Sequence, residues 1–434
     1  MVTTTPFKGM TYNTKTIQKL DDVVSPPYDI IPETMQNELY EKHPNNFVRL
    51  ILGKQYPADT DDNNRYTRAK KLFDEWQQQG ILIQSSTKAI YPYKIEYTIK
   101  NQKKTMNGFF VLLKLDPEYK QVKAHEKTLS KPKADRLNLM RTCYANLEPI
   151  ELLFMDQNDT IRKTIKKNLK KPFIRVKGYD GFTHNMWKLD DETTVSQIVK
   201  ELEKKVLFIA DGHHRYQTSI NFAQEQREKT GNTDSDAPFN YIMVVLANMF
   251  DPGLAILPTH RLIKMGSLNL DQLLKKLQTY FTIEEKTVKT TQNSSEYVGK
   301  QIMNDIDTKK GHTFALYHKK KYYVLTLKNE NVMDTYAGDH SKTWRTLDVS
   351  ILHKLILEQG LGITDANIED HVKYTRADAE AVQLVDEGKF DASFLLNATK
   401  IEELKAIAEA GEHMPQKSTY FLPKMLSGLV MYKM

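Results

Sequence analysis

At 434 residues, with 27% charged and 40% hydrophobic side chains, the chain has the composition of a globular protein and is long enough for two lobes at about 150 residues per domain. Lys and Arg total 62 against 55 Asp and Glu, so the net charge of +7 is thin for this length: it does not demand nucleic acid and is compatible with a small anionic ligand. No uncharged apolar run approaches the roughly 20 residues that cross a bilayer, and the single cysteine, Cys143, excludes an internal disulfide and points to a reducing, cytoplasmic compartment.

Met1 to Leu20 lacks the apolar core of a secretion signal. Ser25-Pro26-Pro27-Tyr28-Asp29 then joins two fixed φ angles to an aromatic ring and a carboxylate, which predicts a stiff loop. His43 to Ile51 reads as the approach to a strand. Asn64 to Gln79 predicts a helix, with Ala69, Leu72, Phe73 and Trp76 on one stripe and Gly80 as its stop. Two alternating runs, Ile90 to Ile99 and Met106 to Leu115, predict a hairpin across the polar segment Lys100 to Thr105.

His125-Glu126-Lys127-Thr128 follows, ahead of a basic stretch that includes Lys131, Lys133, Arg136 and Arg141. Most charge runs are solvated loops. Glu126 stands apart, because a carboxylate between His125 and Lys127 can stay ionised and accept a proton from a hydroxyl. Asp135 to Leu147 has helical spacing and Leu147 to Phe154 enters a strand. Asp156 to Lys205 is polar, with extra helix and strand expected and no evident chemistry.

The densest stretch is Val206 to Arg215. Its apolar start has the length of a buried strand, Asp211-Gly212 is turn chemistry, and Tyr216 to Lys229 predicts a helix. A helix that starts at a strand end aims unpaired N–H groups and a positive dipole at the turn, and Arg215 adds a full charge with a planar donor fork. The combination suits a phosphate; the competing reading is a basic surface turn. His213 and His214 project about 100° apart on a helix, a poor geometry for a shared metal.

Phe239 to Met249 predicts another buried strand. Beyond it, Pro258-Thr259-His260-Arg261 reads as a second strand end, which would bring Thr, His and Arg to the same cleft. After Gly266 the texture changes. Leu268 to Tyr280 and Ser294 to Ile306 predict helices, Thr313 to Leu327 a hairpin, and Asp348 to Glu358 a helix ended by Gly360. Thr375 to Asp378 and Thr399 to Glu402 have the form of capping boxes. Near the end, Met414 to Lys424 holds Lys417, Ser418, Thr419, Tyr420, Phe421 and Lys424 between prolines. Either the aromatics pack an edge strand and the lysines stay in water, or Lys417 or Lys424 returns to the phosphate site.

In this order, Pro26 to Asp29, His125 to Thr128, Ala210 to Arg215, Pro258 to Arg261 and Met414 to Lys424 resemble the family known as domain of unknown function 1015, which supplies no reaction. A more distant resemblance does. Glu126 after a histidine, Glu148-Pro149-Ile150 entering a strand, and Asp211-Gly212-His213-His214-Arg215 before a helix are similar to the ParB and sulfiredoxin superfamily, whose free-serine kinases carry a block much like the last. That resemblance implies Glu126, beside His125, as base, Asp211 as catalytic carboxylate and Mg²⁺ ligand, and Gly212, His213, His214 and Arg215, with Lys127 and Thr128, as phosphate holders. Here about sixty residues separate Pro149 from Asp211, so large insertions surround the core.

The expected fold is therefore α/β (α+β), a ParB/sulfiredoxin-like mixed-sheet core in residues 1–265 with insertions, and a C-terminal α/β lobe in 266–434. Tyr28, Asp29, Thr259, His260, Arg261, Lys417, Ser418, Thr419 and Lys424 are the candidate substrate-binding residues. The expected activity is phosphoryl transfer from ATP or ADP, with Mg²⁺, to free L-serine, giving O-phospho-L-serine. No phosphate loop of the Gly-x-x-x-x-Gly-Lys-Ser/Thr form and no protein-kinase signature occurs. Two alternatives stand beside it: a nucleotide-binding switch of the ParB kind acting on DNA, against which the chain shows no helix-turn-helix signature, and a phosphatase acting on a phosphorylated metabolite.

Overall fold

The computed structural model describes every residue except 100, 126–129 and 289–293. The chain forms two compact units: Met1–Ala124, Thr128–Ala255 and Pro423–Met434 make the first, and His125–Lys127 with Ile256–Leu422 the second.

The first unit is built on one mixed sheet. Its strands are β1 (Tyr91–Ile99), β2 (Gln102–Lys114), β3 (Val122–Lys123), β4 (Ile150–Phe154), β5 (Ile174–Lys177), β6 (Thr183–Met186), β7 (Leu207–Asp211) and β8 (Tyr241–Asn248). They lie side by side in the order β3-β7-β4-β8-β2-β1-β6-β5, and Thr4–Thr5 pairs with β2. β4 runs parallel to β8 and antiparallel to β7. Both faces of these three strands are covered, which is why they read as nearly unbroken apolar runs.

The helices around the sheet include α1 (Arg65–Gln78), α2 (Ser130–Cys143), α3 (Thr160–Asn168), α4 (Glu192–Glu203) and α5 (His213–Thr230). Ile161 and Ile165 of α3 and Val195, Ile198 and Leu202 of α4 pack on Phe109, Ile150, Leu152 and Leu246 of the sheet. A second apolar cluster joins Phe47, Val48, Phe73, Trp76 and Leu139 around the N-terminal segment. The second unit is a separate antiparallel sheet whose strands include His260–Ile263, Thr313–His318, Lys321–Leu327 and Ala392–Leu396, with helices Ser295–Asp307 and Asp378–Asp386 packed on it through Ile302, Ile306, Ala381 and Val382. The α/β class with a mixed sheet is thus as the sequence indicates. No helix among the described residues is long and apolar enough to cross a membrane.

Several local expectations are corrected. The run before Ile51 is not a strand: Val48–Ile51 is one turn of helix, started by the Asn46 side chain, whose Oδ1 accepts the Val48 N–H at 3.0 Å. The helix expected at Tyr216 starts three residues earlier, so His213, His214 and Arg215 form its first turn. The helix expected over 348–358 runs on to Leu361, its latter part in wider π turns, and stops at Gly362 with φ 72°. Gly360 is instead a close-packing position, since a Cβ there would come within 3.1 Å of Leu273 and Leu277. In place of a Thr399 capping box, the Lys400 N–H bonds Glu403 at 2.8 Å. The helix after Thr375 starts only at Asp378, the Thr375 hydroxyl accepting the Ala377 N–H at 3.2 Å. Finally, His260 and Arg261 begin a strand of the second sheet and do not end a strand of the sheet that carries Asp211.

Candidate functional site

The site is built where β7 gives way to α5. Pairing of β7 with β4 slips between Ile209 and Asp211, a bulge that sets Asp211 directly opposite Glu151. Bulges of this kind re-aim a side chain at the end of a strand. The next residue, Gly212, has φ 98°, and a Cβ on it would lie 3.1 Å from both the Arg215 Nε and the Ile150 Cγ2. Only glycine allows the turn and the guanidinium folded over it. As the N-cap of α5, Gly212 brings no side chain to the first turn.

Three charged groups meet at this turn. Arg215 donates to Asp211 Oδ2 at 2.6 Å and, through its other terminal nitrogen, to the Pro149 carbonyl. Lys424 donates to Asp211 Oδ1 at 2.5 Å. Burial by itself would raise the Asp211 pKa, but Lys424 and Arg215 override it and hold the carboxyl well below its usual range. Burial likewise works against the Arg215 charge, yet Asp211, with Glu148 and Asp29 beyond it, pushes that pKa up.

Beneath them lies Glu151, only 2% exposed, with neither carboxylate oxygen hydrogen-bonded among the described residues. Burial raises its pKa to about 8, Lys424 opposing and Asp211 adding to the shift. Near neutral pH this carboxyl is mostly protonated. Among the described residues, Arg215 and Lys424 thus set two full positive charges against the one ionised carboxylate of Asp211, at a helix end that adds partial positive charge.

Glu148 ties the surroundings together. Its Oε1 accepts the Tyr28 N–H at 3.1 Å and the Ser427 hydroxyl at 3.0 Å, and its Oε2 accepts from Arg136 at 3.1 Å. Arg136 also donates to the Ile51 carbonyl at 2.8 Å and lies 3.9 Å from the centre of the Tyr28 ring. Burial lifts the Tyr28 phenol to about 12, opposed by Arg136 and Arg215. One buried carboxylate thus fixes the Pro-Pro-Tyr-Asp loop, helix α2 and the C-terminal segment around the Asp211 turn.

Of the residues picked out in the sequence, Tyr28, Asp211, Gly212, Arg215 and Lys424 come together in the first unit, and His213 and His214 follow Gly212 in the first turn of α5. Asp29, nearby in sequence, is exposed. Glu126, Lys127 and Thr128 lie outside the described residues. The second unit holds the others. His260 is within 2.9 Å of Asp378, Arg261 donates to the Thr259 carbonyl, and His125 Nε2 is 3.1 Å from the Thr419 hydroxyl. Ser418 donates to the Pro415 carbonyl at 2.5 Å, whereas Lys417 is exposed, with φ 56°.

Sequence reasoning named Glu148 within a motif and Arg136 within a basic stretch but gave neither a role, and it passed over Glu151 and Ser427. A signal was there for the two glutamates: Leu147 to Phe154 sets two carboxylates three residues apart in an otherwise apolar segment, and a charge in a strand covered on both faces needs a reason. The raised Glu151 pKa has a measurable consequence. An unfolded Glu titrates at about 4.3, so the folded state keeps its proton to higher pH, and stability falls as pH rises from about 4 through about 8. In thermal melts from pH 5 to 9, Glu151→Gln is expected to flatten this decline and to be more stable than the parent at pH 9. Parallel profiles for the two proteins would show that Glu151 does not titrate in this range.

Among curated proteins no sequence match is found. Of solved structures, a free serine kinase in complex with AMP is 15% identical, over 74% of this chain and 92% of its own, with a TM-score of 0.33. A conserved hypothetical protein from Pyrococcus furiosus is 15% identical, over 74% of this chain and 95% of its own, with a TM-score of 0.33. SbnI from Staphylococcus aureus, truncated at its C-terminus, is 11% identical, over 73% of this chain and 85% of its own, with a TM-score of 0.36. A family described as protein of unknown function (DUF1015) matches residues 4–350, which is most of the chain. The chain belongs to the DUF1015 family.

Proposed function

We propose that the protein is a nucleotide-dependent phosphotransferase of the cytoplasm, moving a phosphoryl group from ATP or ADP to the hydroxyl of free L-serine. The observation that carries this reading is the pair Arg215 and Lys424, two cations that meet at the carboxylate of Asp211 where helix α5 begins. Phosphoryl transfer asks a protein mainly for positioning and charge neutralisation. A phosphate oxygen competes with Asp211 for the same donors, and backbone N–H groups of the first turn of α5 add to its hold.

The gap among Glu151, Asp211, Arg215 and Lys424 has a volume of about 10 Å³, room for one water. A phosphate therefore sits outward of it, against the helix end, and Lys424 swings from Asp211 to meet it. Among the described residues no group of three His, Cys, Asp or Glu side chains could hold a metal ion. That fits Mg²⁺ brought in with the nucleotide, which needs only one or two carboxylates besides phosphate oxygens and water. Asp211 would be the carboxylate that holds it. The ion's contribution is to neutralise charge that develops on the transferred group.

Glu126, by the resemblance of its motif, takes the proton of the acceptor hydroxyl. Glu148, through Tyr28 and Ser427, keeps the walls of the site in register. The test is incubation of the full chain with Mg²⁺, ATP or ADP and a panel of amino acids and sugars, reading nucleotide turnover and products. O-Phosphoserine formed with stoichiometric loss of nucleotide is the expected result. Nucleotide binding without turnover on any acceptor would favour a switch, and phosphate release without nucleotide a phosphatase.

A further inference from the structure

The first unit has a second concavity, at the ends of the strands remote from Asp211. β4 runs from Ile150 to Phe154 beside β8, while Asp211 pairs with Glu151 and Leu207 with Phe154, so Phe154 and Asn248 mark the opposite end of the sheet. There a cavity of 660 Å³ opens between α3 and the β1–β2 hairpin. Small-molecule sites typically measure about 300–1,000 Å³ and have apolar walls with few polar groups. The floor here is Phe109, Phe154, Ile161, Ile165 and Leu169, and Trp187 stands in the wall.

The rim is one-sided in charge. Among the described residues it carries Lys94, Lys103, Lys104, Arg162 and Lys166 against one carboxylate, Asp251. That carboxylate is already engaged, accepting the Gly253 N–H at 2.8 Å and the Asn107 side-chain amide at 3.0 Å. Lys94 pairs with Glu96 at 2.6 Å and Arg162 with Asp159. Lys103 and Lys166 are exposed and make no ion pair among the described residues. An apolar floor under a cationic rim complements a molecule with an apolar body and one anionic head.

We propose that this cavity binds a small amphipathic anion, an alkyl chain ending in a carboxylate, with the chain on Phe109, Ile165 and Leu169 and the head between Lys103 and Lys166. The site is separate from the Asp211 turn and takes its ligand independently of nucleotide. Trp187 supplies the readout, since the other two tryptophans, Trp76 and Trp344, are only 2% and 4% exposed and do not line the cavity.

Titrating the full chain with decanoate, decyl phosphate and decyltrimethylammonium, each below its micelle concentration, while following tryptophan fluorescence tests the proposal. Decanoate is expected to give a saturable change that Trp187→Phe abolishes, that Lys103→Glu/Lys166→Glu weakens by about tenfold or more, and that ATP does not displace. Both lysines are exposed, so the double variant folds, and matching melts confirm it. Tighter binding of decyl phosphate than of decanoate would reassign the head group. Equal binding of the cationic amphiphile, indifference to the charge reversals, displacement by ATP, or no saturable change would overturn the proposal.

Discussion

Arg215→Ala is expected to destabilise the protein by about 3–5 kcal/mol and to weaken nucleotide binding by at least about 100-fold. The stability loss follows from what the guanidinium holds. Among the described residues it is one of two partners of the Asp211 carboxylate, and it donates to the Pro149 carbonyl, which precedes β4. Removing one member of a buried pair leaves the other charge uncompensated. Lys424 still holds Asp211, which keeps the loss toward the lower end of that range. The binding loss follows from the fork that the phosphate would share with Asp211. Arg215→Lys separates the two effects: it retains a charge for Asp211, recovers part of the stability, and lacks the planar donor pair, so nucleotide affinity stays low. Urea unfolding and calorimetric titration with ATP, both at a temperature where circular dichroism shows the variant folded, give the two numbers. A folded Arg215→Ala protein that binds ATP like its parent would remove the phosphate site from the Asp211 turn.

Much of this turn could be read from the chain before any coordinates. An apolar run of strand length, an Asp-Gly step and a polar helical stretch are all local, and β7, Gly212 and α5 fall where those signals lie. The hairpin β1–β2 and helix α1 were equally plain, the latter capped by Asn64, whose Oδ1 accepts the Tyr66 N–H at 2.9 Å. What could not be read is set by contacts distant in sequence. The strand order places β7 between β3 and β4, and no local pattern encodes that neighbour. The bulge that sets Asp211 against Glu151 exists only in the pairing of two strands, so the buried carboxyl escaped notice. Lys424 and Lys417 stood as equals in the same short segment; one meets Asp211 and the other is exposed. The stretch ending at Ile51 reads as strand because a short apolar run has no period long enough to distinguish strand from helix; the Asn46 side chain, accepting the Val48 N–H just before it, helps turn the chain into a helical turn.

Glu126→Ala is expected to lower turnover by about 10²- to 10⁴-fold, the usual contribution of a general base, while nucleotide affinity stays within about twofold. A group that acts on the acceptor hydroxyl only as the transition state forms contributes to kcat and not to ground-state binding of the donor. Glu151 makes the experiment discriminating, because it is a carboxyl beside Asp211 at the proposed phosphate site. With its pKa raised to about 8 it is mostly protonated near neutral pH and a poor base there. Were it the base, kcat would climb with a midpoint near pH 8 and Glu151→Gln would abolish turnover. With Glu126 as base, Glu151→Gln leaves turnover at pH 7 largely intact, since glutamine reproduces a neutral carboxyl in size and polarity. Kinetics of the two variants from pH 6 to 9, alongside their nucleotide affinities, decide between these carboxyls, and normal turnover in Glu126→Ala would end its candidacy.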